Sequence, residues 1–195
     1  MTRIVLASGN PGKIREFQAM LPNSKILPQS QFNVIEAAET GSTFVENAIL
    51  KARNAALHCG LPAIADDSGL VVDALHGLPG VISARYAGVG ASDEDNLQKL
   101  LSTLQGIPDE HRSARFVCVL VYMRDGQDPT PLIAQAAWEG RILHEPRGMD
   151  GFGYDPVFWL ESHACSSAEL SLEVKNSLSH RGQALRILSR LLTHQ

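Results

Sequence analysis

Long apolar runs are missing from this 195-residue chain. The longest, Phe116 to Met123, falls far short of the roughly 20 residues that a membrane helix needs, so no membrane partner is expected. Cysteine is scarce. Cys59, Cys118 and Cys165 stand far apart with no CxxC pair, which argues against a disulfide framework and a zinc site. A reducing cytoplasm is the expected address, and Met1-Thr2-Arg3-Ile4 leads into a strand-like segment with no signal-peptide layout. Excess charge is also missing. With 17 Lys and Arg against 21 Asp and Glu, the net charge of −4 leaves no basic stripe for nucleic acid, although a local basic pocket stays open. No linker, low-complexity tract or internal repeat divides the chain, so residues 1–195 read as a single domain.

What is present is 44% hydrophobic residues, enough for a sizeable core. Helical and strand periodicities alternate. Arg3–Ala7 reads as a strand, followed by a helix that Asn10 caps with Pro11 in its first turn, with Ile14, Phe17, Met20 and Leu21 on one face. Val34-Ile35 reads as a second short strand. Thr43 and Glu46 have capping-box spacing ahead of a stripe of Val45, Ala48, Ile49, Ala52 and Ala56, and Gly60 closes that helix. Ser92 caps a helix burying Leu97, Leu100, Leu101 and Leu104. Ala114–Arg124 and Leu132–Trp138 read as paired strands, and Leu185, Leu188, Leu191 and Leu192 mark a last amphipathic helix. The class is α/β with a mixed β-sheet.

Chemistry gathers in a few segments. Ala63-Ile64-Ala65 reads as a buried strand delivering Asp66 and Asp67 to its own end, before Ser68 and Gly69. Carboxylates so placed suit a hard divalent cation and a phosphate-bearing ligand; an Asp-rich turn is the plain alternative. Ser8-Gly9-Asn10-Pro11-Gly12-Lys13 follows a strand and opens a helix, where free N–H groups and the dipole favour an anion, although the Walker A spacing is absent. Between Arg147 and Pro156 a glycine-rich stretch carries Phe152, a face for a base, and Tyr154; a tight loop with its aromatics in the core is the alternative. His180 and Arg181 open the final helix at the end its dipole disfavours for cations.

The segments SGNPGK (8–13), ETGSTFVENAILKA (39–52), ADDSGL (65–70), GLPGVISARYAG (77–88), WEGRI (138–142), GFGYDPVF (151–158) and SHRGQAL (179–185) occur in order. Together they resemble the inosine triphosphate pyrophosphatase family, in particular its bacterial dITP/XTP branch, over nearly the whole chain. The resemblance implies a long mixed sheet flanked by helices, two lobes with a central nucleotide-binding cleft, and a homodimer. It implies Mg2+-dependent hydrolysis of non-canonical purine nucleoside triphosphates (dITP, ITP, XTP) to monophosphate and pyrophosphate, cleansing the nucleotide pool.

Carried over by position, the resemblance makes Asp67 the catalytic acid and a magnesium ligand, with Asp66 and Glu39 completing the metal environment directly or through water. Ser8, Gly9, Asn10, Pro11, Gly12 and Lys13 match the triphosphate loop, and Ser68 a substrate contact. Phe152, Gly153, Tyr154 and Asp155 match the base-binding segment. Lys175, His180 and Arg181 match groups holding base and nearby phosphate, and Lys51 is an additional phosphate partner. Some bacterial members carry two acids before the Thr-Gly of the second motif; here the pair is Ala38-Glu39. The alternatives are a Maf-like pyrophosphatase acting on other modified nucleotides and a nucleotide sensor without turnover.

Overall fold

The structure is a computed structural model that describes residues 2–193. In chain order the strands and helices are β1 (Thr2–Leu6), α1 (Pro11–Met20), β2 (Ser24–Pro28), α2 (Phe44–Cys59), β3 (Ala63–Val72), α3 (Asp93–Thr103), β4 (Ser113–Met123), β5 (Leu132–Ile142), β6 (Phe158–Leu160), β7 (Cys165–Ser166), α4 (Leu172–Leu178) and α5 (His180–Thr193). The sheet order is β2-β1-β3-β4-β5-β6-β7. β1 runs parallel to β2 and β3, whereas β6 runs antiparallel to β5 and β7, so the sheet is mixed and the class is α/β as expected.

The chain forms two compact units. One comprises 2–67, 118–136 and 181–193, the other 68–117 and 137–180. In the first, alternation along β1 divides the packing. Ile4 and Leu6 join Phe17 and Leu21 from the α1 side, Ala184, Leu185 and Leu188 of α5, and Leu120 and Tyr122 of β4. Val5 joins Ala55 and Ala56 of α2 with Ala63 of β3. The small residues on α2 let that helix approach the sheet closely, and both its ends are fixed. The Thr43 hydroxyl accepts from Glu46 N–H while Glu46 reaches back to Thr43 N–H, and Gly60 closes the helix at φ 61°.

The second unit buries Leu70 and Val72 of β3, Leu97, Leu100 and Leu104 from the α3 side, Phe116, Trp138, Tyr154 and Phe158. Arg112, 1% exposed, donates to the carbonyls of Ile142, Leu104 and Leu143 at 2.8–2.9 Å. It ties the end of α3 to the end of β5 without a carboxylate.

Two expectations need correction. Val34-Ile35 is not a strand: Ile35 is 82% exposed, and the second strand is Ser24–Pro28, paired with β1 from Thr2↔Ser24 to Leu6↔Pro28. β2 lies at the edge of the sheet, which is where its terminal Pro28 is tolerated. Nor does the chain turn after Asp67. β3 continues to Val72, so both acids are mid-strand residues.

Candidate active site

β1 ends at Leu6 and the chain passes through Ser8–Asn10 into α1. The Ser8 hydroxyl accepts from Asn10 N–H at 3.1 Å. Asn10 caps the helix, its Oδ1 accepting from Gly12 N–H at 2.8 Å and Lys13 N–H at 3.2 Å. The expectation of free amides at this helix start is therefore corrected. Two of them already have an acceptor, and an anion at this turn would replace Asn10 Oδ1 or be met by side chains. Gly9, Asn10 and Pro11 are exposed; Lys13 is half-buried and reaches Asp66 Oδ1 at 3.4 Å.

Asp66 and Asp67 are 4% and 6% exposed. Successive side chains on a strand leave opposite faces, and the partners of the two acids differ accordingly. Asp66 Oδ2 accepts from Arg181 Nε at 2.6 Å, and Arg181 Nη1 lies 3.6 Å from Glu16 Oε2. Asp67 Oδ1 instead accepts from Lys51 Nζ of α2 at 2.6 Å, and the same ammonium donates to Glu39 Oε1 at 3.1 Å. Burial resists the charge on Arg181 and is outweighed by Asp66 and Glu16, so the guanidinium stays firmly protonated. This resolves the conflict of a cation in the first turn of α5.

Lys13 and Arg181 lie beside Asp66, with Glu16 on Arg181, whereas Lys51 lies between Asp67 and Glu39. Burial pushes the Asp67 carboxyl above its ordinary range; Lys51 opposes this, and Glu39 and Asp66 add to it. Burial also works against charge on Lys51, but attraction to Asp67 and then Glu39 holds its pKa above the ordinary lysine value. Asp67 Oδ2 is buried and has no hydrogen-bond partner. A buried carboxylate oxygen so placed, with a second carboxylate near the same ammonium, fits a hard divalent cation. Asp66 accepts from Arg181, and among the described residues no three His, Cys, Asp or Glu side chains form a metal-holding group, so Asp66, Asp67 and Glu39 do not meet as three direct ligands. Mg2+ commonly takes one or two carboxylates and completes its shell with water and phosphate oxygens, which Asp67 and Glu39 can satisfy.

In the second unit Asp155 organises the glycine-rich loop. Its Oδ2 accepts from Phe152 N–H at 2.9 Å and pairs with Lys175 Nζ, while Oδ1 accepts from Ser167 Oγ at 2.9 Å. A Cβ at Gly151 would lie 2.3 Å from Asp155 Oδ2, so this close approach requires glycine. The Phe152 ring is 62% exposed, with Lys175 Nζ 5.2 Å from its centroid. Gly153 N–H donates to Asp93 Oδ2 at 2.8 Å. Tyr154 turns its side chain into the core. It is 5% exposed in the core with its hydroxyl on Ser83 O at 2.8 Å, and burial raises its pKa. The His180 ring stacks on Phe116 at 5.0 Å and 14°. Ser68 is half-buried on β3.

A family profile described as the Ham1 family matches residues 4–191. The chain belongs to the Ham1 family. The match agrees with the resemblance carried by the seven segments. A Ham1 relative from Vibrio cholerae, named dITP/XTP pyrophosphatase, is 57% identical over 197 residues, covering 100% of this chain and 98% of its own. One from Shewanella oneidensis with the same name is 62% identical, covering 95% and 91%. The solved structure of a HAM1 protein from Coxiella burnetii superposes with a TM-score of 0.96 at 53% identity, covering 100% of both chains.

This Ham1 chain also uses residues that motif reading passes over. Asn47 and Lys51 share one face of α2 at i and i+4 spacing. Asn47 is fully buried and accepts from Gly41 N–H at 2.8 Å, which ties the Glu39 loop to the helix that delivers Lys51. A Cβ at Gly41 would come within 2.6 Å of Glu46 Cβ. Glu16, six residues after the Asn10 cap, carries no motif signal of its own.

Proposed function

We propose that this chain hydrolyses non-canonical purine nucleoside triphosphates (dITP, ITP and XTP) to the monophosphate and pyrophosphate. The observation that carries the reading is Asp67: a buried carboxylate with an unpartnered oxygen beside Lys51 and Glu39, in a chain akin to relatives named dITP/XTP pyrophosphatase. The Maf-like alternative finds no support in the family match or the relatives.

Bound Mg2+ would supply Lewis acidity to the phosphate oxygens from Asp67, with Glu39 beside it. Asp67, its carboxyl shifted upward by burial, orients the attacking water and accepts its proton. The water oxygen attacks the α-phosphorus as the bond to the β-phosphate oxygen breaks, and pyrophosphate leaves. Ser8–Gly12 cradle the polyphosphate, and Lys13 and Lys51 neutralise the charge growing on the leaving group. Ser68 is a further substrate contact.

Phe152 offers its exposed face to the purine, while Gly153 and Tyr154 contribute backbone and Asp155 fixes Lys175. Donors at His180 and Arg181 meet the 6-keto oxygen. A 6-amino group would leave such donors unpaired at about 1–3 kcal/mol each. A homodimer acting on the cytoplasmic pool completes the proposal, and analytical ultracentrifugation checks the assembly. The decisive test is pyrophosphate release from dITP and dATP with Mg2+. The wild type is expected to prefer dITP strongly, and Asp67→Asn to fold and lose turnover about 10³-fold or more. Equal rates with dATP refute the base reading.

A further inference from the structure

We propose that Asp66 is a positioning residue that sets Lys13 and Arg181 together, and not a ligand of the catalytic metal. The inference rests on the function proposed above and deepens it. Asp66's side chain is 1% exposed and accepts from Arg181 Nε at 2.6 Å, with Lys13 Nζ 3.4 Å from its other oxygen. One carboxylate thus holds two cations that reach it from different helices, α1 and α5. Lys13 is the cation assigned to the phosphates and Arg181 the one assigned to the base. Their geometry is linked at a single point, one residue before Asp67 in the chain.

Charge separates the two acids as sharply as direction does. Glu16 lies 3.6 Å from Arg181 Nη1, and Asp66 itself already holds two cations, Lys13 and Arg181. A divalent cation gains little there. Asp67, beside Lys51 and Glu39, keeps a buried oxygen without a partner. The metal belongs with that oxygen. Without the Asp66 charge, Arg181 keeps only Glu16 at the longer distance. Arg181 is 8% exposed and opens a helix whose dipole repels its charge, so the guanidinium would leave its present orientation.

Asp66→Asn keeps the side-chain shape and removes the charge. Mn2+ binding to the nucleotide-free protein, measured by calorimetry, is expected to stay within about threefold of wild type, against a loss of about tenfold or more for Asp67→Asn. The ratio of kcat/KM for dITP over dATP is expected to fall about tenfold in Asp66→Asn. In an Arg181→Ala background the same change should have much less effect on that ratio, because the two residues act as a unit. A structural defect elsewhere would lower both rates without this coupling. Should Asp66→Asn not fold, Asp66→Glu keeps the charge but moves it by one methylene, and it should leave Mn2+ binding within the same limit and lower the dITP over dATP ratio by less, again with little effect in the Arg181→Ala background. Loss of Mn2+ binding matching that of Asp67→Asn, or full additivity with Arg181→Ala, overturns the proposal. The binding arm needs no turnover, so a wild type inactive on dITP would sink the functional reading while still testing Asp66.

Discussion

At the scale of single residues, the structure separates holding charge from using it. Asn10 shows this at the phosphate turn. Its Oδ1 serves Gly12 and Lys13 N–H, a task Asp performs equally well as a helix cap. Asn10→Asp therefore keeps or slightly raises the melting temperature while placing a negative charge where the polyphosphate docks. KM for dITP should rise about tenfold, equivalent to about 1.4 kcal/mol, with a smaller change in kcat. Thermal melts and steady-state kinetics on the same preparation check both halves. Asp67 gives the complementary case. Burial raises its pKa in the folded protein, so its contribution to stability is present below the unfolded value near pH 4 and is lost as pH rises through the folded value. At pH 8 and without metal, the ionised Asp67 strains the fold. Asp67→Asn should then melt higher than wild type at pH 8, with the advantage shrinking toward pH 4. A variant that melts lower at pH 8 would show that Lys51 outweighs burial.

At the scale of elements, end signals and stripes were legible in the sequence and strand register was not. The Asn10, Thr43 and Ser92 caps and the C-terminal Gly60 rest on contacts within a few residues, and each forms as its local spacing predicts. The opposed orientation of Asp66 and Asp67 depends on β3 continuing past them, which pairing within the sheet decides. Lys51 meets Asp67 across 16 residues and Arg181 meets Asp66 across 115, distances no local pattern encodes. The segment joining β4 to β5 shows the same split. Asp128, 3% exposed, accepts from Arg124 N–H, Nε and Nη2 and from Thr130 N–H. Bonding to the Arg124 side chain holds its carboxyl well below the usual range. That contribution is present above pH 4 and is lost as pH falls through the depressed value. Asp128→Ala should lower the melting temperature at pH 7, by an amount that narrows in acid as the wild type itself loses the interaction.

At the scale of the whole molecule, a protein of net charge −4 is proposed to bind a polyanion. Four carboxylates, Glu16, Glu39, Asp66 and Asp67, stand among Lys13, Lys51 and Arg181. The proposed metal would serve both the Asp67 carboxylate and the substrate. Ions that bind the folded chain alone stabilise it by RT ln(1 + [L]/Kd), about 2.7 kcal/mol at a concentration 100 times Kd. For a chain of this length that corresponds to roughly 5–10 °C in melting temperature. On the proposed reading the ionised Asp67 carboxylate holds the ion, and burial raises its pKa, so protons should compete with the metal as pH falls. The Mn2+-induced shift should be large at pH 8, smaller at pH 5, and abolished at both by Asp67→Asn. Pyrophosphate release should vanish with EDTA and return with added Mg2+. An equal shift in Asp67→Asn would place the ion elsewhere in the protein and remove Asp67 from the metal.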